Sequence, residues 1–197
     1  MHRFEEKDLY REIFKDFVIL PGGADISPSL YGKKNYKSYV SNHSIEADRR
    51  HIEIYKDAVR KGKPLLCICR GLQLISALQG LTLIQDLRHP GGHNLTVRNL
   101  DTDEFTDTIK VNSIHHQLVY TNNELEGDNF KVYGHCMLSD YHSYQKDEEV
   151  VVDFEPEIIL FPKVRALGVQ FHPEMMGYQP MYNETLNYLK KLVNLLT

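Results

Sequence analysis

The sequence predicts an α/β fold built on a parallel sheet, and three observations carry that prediction. Short apolar runs end abruptly in Gly or Pro, as strands buried on both faces do. These runs alternate with helical stretches in the order strand, helix, strand, helix between residues 17 and 79. An amphipathic helix closes the chain, with Met181, Thr185, Leu189, Leu192 and Leu196 at helical spacing behind Pro180. The 197 residues suit one domain, 1–197, able to bury a single sizeable core.

Taken in order, residues 4–15 place Phe4, Leu9, Ile13 and Phe14 loosely on one helical face. Phe17–Leu20 reads as a buried strand entering the tight Pro21-Gly22-Gly23 loop. Residues 24–44 lack periodicity and read as a long loop. A helix is expected over 45–61, with Ile45, Ile52, Tyr55 and Val59 approximating one face and Gly62 as its stop. Leu65–Ile68 is a second buried strand, Cys69-Arg70-Gly71 its turn, and 72–79 a helix ending at Gly80. The stretch 81–135 reads as β-rich and irregular. Val150–Phe154 and Glu157–Phe161, divided by Glu155-Pro156, suggest a hairpin, and Leu167–Phe171 a further buried strand.

Composition narrows the function. Lys+Arg of 23 against Asp+Glu of 27 leaves a net charge of −4, and the pI is near 6.2. A nucleic-acid binder usually shows a basic face and a domain pI above about 9, so nucleic acid is not the expected partner. Cys67, Cys69 and Cys136 are too few and too odd in number for a disulfide framework, which points to the cytoplasm. The charged N-terminus lacks the apolar stretch of a signal peptide. No window reaches the apolar length of a membrane span.

Three segments carry candidate chemistry. In Leu65-Leu66-Cys67-Ile68-Cys69-Arg70-Gly71, an apolar strand runs straight into Cys69 and a helix follows. Such a turn lifts a nucleophile above the carboxyl edge of a parallel sheet, and the helix N-terminus favours thiolate. Taken alone, a cysteine there is usually a small core hydrophobe. In Gly168-Val-Gln-Phe-His172-Pro-Glu174, the i, i+2 spacing lets Glu174 reach the His172 ring and fix its tautomer. A surface His-Pro turn with a solvated glutamate is the plainer alternative. The Gly22-Gly23 pair can present backbone N–H groups to a developing oxyanion, or be an ordinary turn. Strand ends on one sheet edge converge on one crevice, which joins the three signals.

With these residues in place, the chain resembles the class I glutamine amidotransferases, and among them the γ-glutamyl hydrolase branch, peptidase family C26. The matching pieces are LPGGADISPSLYG at 20–32, GKPLLCICRGLQLISALQG at 62–80, LTLIQDL at 81–87, VNSIHHQLV at 111–119 and GVQFHPEM at 168–175. The resemblance implies a three-layer flavodoxin-like sandwich with a mostly parallel central sheet, shortened at the N-terminus. It implies Cys69 as nucleophile, His172 as general acid/base and Glu174 as its orienter. It implies an oxyanion hole from the amides of Gly23 and Arg70. Gln73 would hold the α-amino end of a glutamyl group, and the backbone of Ser113, Ile114, His115 and His116 its α-carboxylate.

The chain departs from that pattern in places. About twenty residues precede the PGG loop, fewer than the ~30 of a βαβ unit. Three accounts are open: a start upstream of Met1, a neighbouring chain (a second copy included) covering the sheet, or a pared-down fold. Cys67 stands where glycine is common and reads as a small core thiol. Glu155-Pro156-Glu157 replaces an Asp-Gly turn with a following glutamate, so that side of the pocket is expected to differ. Ser76 and Gln79 replace commoner Asn and Gly.

No cofactor and no metal are expected. His89 and His93 flank Pro-Gly-Gly and share no helix face, and neighbouring His115 and His116 point opposite ways in extended chain. Tyr31, Tyr36 and Tyr39 with Lys33, Lys34 and Lys37 could meet an anionic leaving group or form a solvated loop. The reading reached is a cysteine hydrolase of a small-molecule γ-glutamyl amide. Its alternatives are a glutaminase subunit feeding ammonia to a synthetase or ligase partner, and an inactive scaffold.

Overall fold

The computed structural model describes residues 10–35, 40, 42–88, 91–138, 143–144, 151–176 and 182–196. The expectations for residues 4–9, Tyr36, Lys37, Tyr39, His89, Val150, Pro180 and Met181 lie outside the described residues.

Strand β1 (Val18–Leu20) leads through a loop with a 3₁₀ turn at Pro28–Tyr31 to helix α1 (Ile45–Arg60). Strand β2 (Leu65–Ile68) and helix α2 (Arg70–Leu78) follow. Next come β3 (Thr82–Ile84), β4 (Leu87–Arg88), β5 (His93–Arg98), β6 (Phe105–Val111), β7 (Leu118–Tyr120), β8 (Glu126–Gly127) and β9 (Phe130–Met137). The chain continues through β10 (Ser143–Tyr144), β11 (Phe154–Phe161) and β12 (Ala166–Val169) to helix α3 (Asn183–Val193).

The main sheet runs β1-β2-β12-β11-β9-β5-β6, with β8 beside β9. β2 is central to its parallel part, flanked in parallel by β1 and β12. From β12 outward through β11, β9, β5 and β6 the pairing is antiparallel, so the sheet is mixed and its parallel strands sit together.

Alternation along the parallel strands divides the core into two layers. Leu66, Ile68, Leu167 and Val169 pack with Ile13, Phe14 and the α3 residues Leu189, Leu192 and Val193. Leu65, Cys67 and Ala166 pack on the other face with Leu72, Ile75 and Ala58 from the other two helices. The architecture is therefore α/β in three layers. No described helix is long and apolar enough to cross a membrane.

Several boundaries differ from expectation for identifiable reasons. α1 turns Asp48 and Ala58 inward, while Ile45 and Val59 are exposed, because buried polar contacts of Asp48 set the helix's rotation. α2 begins at Arg70 rather than at residue 72. The expected hairpin at 150–161 is a single strand running through Pro156, and residues 151–153 lie outside it. Register shifts on either side of Ile158 accommodate the proline, which belongs at a bulge because it cannot donate to a ladder. Gly62 follows α1 at φ 63°, the left-handed stop expected of it.

Candidate active site

β2 ends at the sheet's carboxyl edge, and Cys69 turns the chain into α2 at φ 49°, ψ −105°. A non-glycine residue at positive φ is strained and persists only where its surroundings impose it. Here the constraint is visible. The Cys69 amide donates to the Val169 carbonyl at 2.7 Å, and its carbonyl accepts from Gln73 N at 3.1 Å. One residue on, Gly71 lies against β1 so closely that a Cβ would stand 2.2 Å from the Leu20 carbonyl oxygen. Cys69 is buried, with 7% of its surface exposed.

His172 follows β12 and reaches the same edge. Its Nδ1 lies 2.8 Å from Glu174 Oε1, and Cys69 and Glu174 are the groups that act most strongly on the ring. These two groups, Cys69 foremost, lift the imidazole from 6.5 to about 10 against the opposing pull of burial. The imidazolium is therefore the form present at neutral pH. Asn112 fixes the backbone beneath the ring: its Oδ1 accepts from His172 N at 2.8 Å, and its Nδ2 donates to His172 O at 2.9 Å. From the other side Gly22 closes in, and a Cβ there would lie 2.5 Å from His172 Cε1. Gln170, fully buried, points Nε2 at Cys69 Sγ from 3.6 Å.

The glycine loop is brought to α2 by a buried ionic relay. Arg70, 3% exposed, hydrogen-bonds to His51 and forms an ion pair with Asp48 of α1. The other Asp48 oxygen accepts from Ser27 N at 3.0 Å and Ser27 Oγ at 2.5 Å. The loop after β1 is thus tied to the residue that follows Cys69. Gly23 sits where a Cβ would be 3.4 Å from Arg70 Cδ, so the two residues expected to supply oxyanion donors are neighbours.

The segment 112–117 is irregular rather than a strand, yet its two histidines do diverge. His116 reaches back to Asp25 of the glycine loop at 3.0 Å, and that hydrogen bond raises its pKa. His115 turns inward, its side chain 1% exposed, to Glu155 at 2.7 Å. Ile114 is exposed and Ser113 half-buried. Gln73 is buried on α2 and donates to the Gln117 carbonyl at 3.4 Å. Of the residues expected at the site, Gly23, Cys69, Arg70, His172 and Glu174 gather at the edge formed by β1, β2 and β12. His116 reaches the glycine loop there through Asp25, whereas the His115 ring is directed to the sheet interior. Sequence reading did not single out Asp48, Ser27, Asn112 and Gln170. Asn112 and Gln170 lie inside the matched pieces VNSIHHQLV and GVQFHPEM and could have been found there.

Cys67, fully buried one turn of the pleat behind Cys69, is a core thiol whose pKa burial pushes upward. Among the described residues all three cysteines are free.

The YvdE homolog of Lactococcus lactis subsp. cremoris, named as a glutamine amidotransferase-like protein, is 33% identical over 120 residues, covering 53% of this chain and 63% of its own. Protein NtpR of Enterococcus hirae is 28% identical over 179 residues, 81% of this chain and 67% of its own. The chain thus spans about two thirds of the length of the curated relatives it matches. Among solved structures, a glutamine amidotransferase from Thermotoga maritima aligns over 92% of this chain and 73% of its own, at 15% identity and TM-score 0.49. The family model for peptidase C26 matches residues 5–108, which takes in the glycine loop, the Asp48 helix and the Cys69 turn. More than half of the sequence is covered by that match, and the chain accordingly belongs to the peptidase C26 family of glutamine amidotransferase-like proteins.

Proposed function

We propose that the protein hydrolyses a γ-glutamyl amide bond through a thioester on Cys69. The observation that carries this reading is the strained Cys69 turn with the His172 imidazole, oriented by Glu174, interacting with Cys69 at the same sheet edge. In the proposed cycle the Cys69 sulfur attacks the γ-carbonyl carbon and the carbonyl oxygen becomes an oxyanion. The amides of Gly23 and Arg70 stabilise that oxygen; a single donor of this kind is worth about 10²–10³ in rate. The Arg70–Asp48–Ser27 relay supports this assignment, because it holds the two donors' chain segments together. As the tetrahedral intermediate collapses, His172 gives its proton to the departing nitrogen, which leaves as ammonia or an amine. His172 then takes a proton from water, and the water oxygen attacks the thioester carbon. Collapse expels the Cys69 sulfur as thiolate, releases glutamate and leaves His172 again as the imidazolium. Glu174 keeps Nδ1 occupied so that the other ring nitrogen serves the sulfur. Gln73 and the backbone of Ser113, Ile114, His115 and His116 hold the α-amino and α-carboxylate ends.

The test is covalent labelling with a glutamine-mimicking diazo-ketone, read by mass spectrometry, alongside glutamate release from glutamine and from a panel of γ-glutamyl amines. Labelling of Cys69 that vanishes in Cys69→Ala, together with turnover of a γ-glutamyl amine, supports the freestanding hydrolase. Labelling with turnover only after a synthetase or ligase is added assigns the chain as a glutaminase subunit instead. A folded protein whose Cys69 resists the reagent refutes the catalytic reading.

A further inference from the structure

Behind the Cys69 edge lies a second group of chemically active side chains that the proposed cycle does not use. His93 opens β5, Cys136 lies on β9, and Glu155 and Glu157 lie on β11, with His115 reaching in from the 112–117 segment. The register explains the gathering. Cys136 stands opposite Glu155, and β11 changes register between Pro156 and Ile158, where Glu157 is inserted. One donor atom each from His93, Cys136 and Glu157 lies within 4.8 Å of the other two, and the same holds for His115, Glu155 and Glu157. Glu157 belongs to both sets.

Two carboxylates buried at 0% exposure, next to a thiol, are costly unless something answers their charge. The charges acting on Glu157 are those of Glu155, His93 and His115, with no lysine or arginine among them. One Glu157 oxygen meets His93 Nε2; the other has no hydrogen-bond partner among the described residues. The His93 ring is also oriented from outside, its Nδ1 being 3.1 Å from the Gly91 carbonyl oxygen. An imidazole anchored by one nitrogen to a backbone carbonyl, with the other turned toward a thiol and a carboxylate, is arranged as metal-binding histidines are.

We propose that His93, Cys136 and Glu157 bind a zinc ion as three ligands with a fourth, open position, the Glu155 carboxylate lying beside Glu157. A mixed nitrogen, sulfur and oxygen set suits a borderline-soft cation that accepts tetrahedral coordination. Calcium and magnesium require shells of oxygen. His115, bonded to Glu155, is the partner of that carboxylate. The site would brace the strand next to the nucleophile, because the Glu157 carbonyl accepts from Gln170 N at 2.9 Å and Gln170 touches Cys69 Sγ. None of its ligands belongs to the Cys69 machinery, so it stands independently of the proposed hydrolase reading. The competing account is a metal-free cluster of imidazolium–carboxylate pairs.

Cobalt(II) is the probe that separates the two. The full chain, stripped with chelator, is titrated with cobalt and then with zinc, and the absorption spectrum is recorded. The expected result is a saturable thiolate-to-cobalt charge-transfer band with intense tetrahedral d–d bands, displaced by zinc. Both should persist in Cys69→Ala. They should be lost in Cys136→Ser, and zinc affinity should fall at least ~100-fold in Cys136→Ser and Glu157→Gln, beyond what loss of an outer partner costs. Circular dichroism identifies any variant that fails to fold, and the near-isosteric Glu157→Gln carries the test if Cys136→Ser does. Zinc should also raise the melting temperature of the wild-type chain and not that of Glu157→Gln. A folded wild-type protein without a saturable cobalt spectrum overturns the proposal in favour of the metal-free cluster. A spectrum that survives Cys136→Ser or disappears in Cys69→Ala also overturns it, by placing the metal elsewhere.

Discussion

Gly71→Ala sets two effects of opposite sign against each other inside one helix. Alanine is the better helix former by about 1 kcal/mol, so a helix considered alone should gain from the change. The new methyl would stand 2.2 Å from the Leu20 carbonyl oxygen and 3.0 Å from its carbon, both backbone atoms with no rotamer to yield. Opening the first contact merely to 3.0 Å requires α2 and the end of β1 to part by 3.0 − 2.2 = 0.8 Å. Overpacking of this kind costs about 1–3 kcal/mol, so the balance is a net loss of about 1 kcal/mol, or roughly 2–4 °C in melting temperature for a chain of this size. The effect on chemistry should be larger than the effect on stability. The elements driven apart carry Cys69 on one side and the Gly22-Gly23 loop on the other. A displacement near 1 Å between reacting groups can cost about 10²-fold in rate. The assay is the rate of Cys69 labelling by the diazo-ketone, which does not depend on knowing the substrate, beside a thermal melt. A variant that labels at the wild-type rate and melts at or above the wild-type temperature would show that helix propensity wins and that the close approach is not a constraint.

Three further outcomes follow from the same geometry. Asp48→Ala leaves the Arg70 guanidinium buried without its carboxylate and Ser27 without its acceptor, so urea unfolding should show a loss of about 3–5 kcal/mol; an unchanged midpoint would mean that water replaces the aspartate at no cost. Gly22→Ala puts a methyl 2.5 Å from His172 Cε1, a side chain that can swing aside, so labelling should slow about 10-fold or more with little change in melting temperature. Because His172 titrates at about 10 in the fold rather than 6.5, the protonated ring is the form the fold favours. Its stabilising contribution is fully present below about 6.5 and is lost as pH rises through about 10. In Glu174→Gln one of the two supporting interactions is weakened. NMR should then report a lower His172 pKa, and the difference in melting temperature from wild type should shrink at high pH; equal pKa values in the two proteins would remove Glu174 from the account.

The parts of the fold that were legible are those written in apolar runs. Leu65–Ile68 is a strand buried along its length because nothing polar interrupts it, and α3 follows its leucine spacing. Val18–Leu20 is a strand as expected but, at the sheet's edge, buries only Leu20 and leaves Ile19 exposed. The rotation of α1 was not legible, because Asp48 reads as a surface residue by any hydrophobic count. Only the tertiary presence of Arg70 and Ser27 makes it, with Ala58, one of the two buried side chains of its helix. Pro156 misled in the same way. A proline between two apolar runs signals a turn, whereas here a register shift lets β11 continue past it.

At the site, local spacing was enough for the His172–Glu174 contact, since both residues lie in one short segment and their relation is fixed by backbone geometry. The meeting of Cys69 with His172 depends on β2 and β12 being adjacent in the sheet although about one hundred residues separate them. Spacing cannot show that adjacency; it was reached from the rule that strand ends on one sheet edge converge on one crevice and from the resemblance of ordered motifs. Yet once β12 lies parallel to β2, with Val169 opposite Ile68, their next residues leave the sheet at the same level. The strained turn then takes Cys69 into α2, Asn112 holds the His172 backbone, and Gly22 caps the ring. The thiol–imidazole contact is thus a consequence of one strand pairing plus three local constraints. Substitutions at Gly22, Asn112 and Gly71 should therefore disturb it as surely as substitution of the carboxylate that touches the ring.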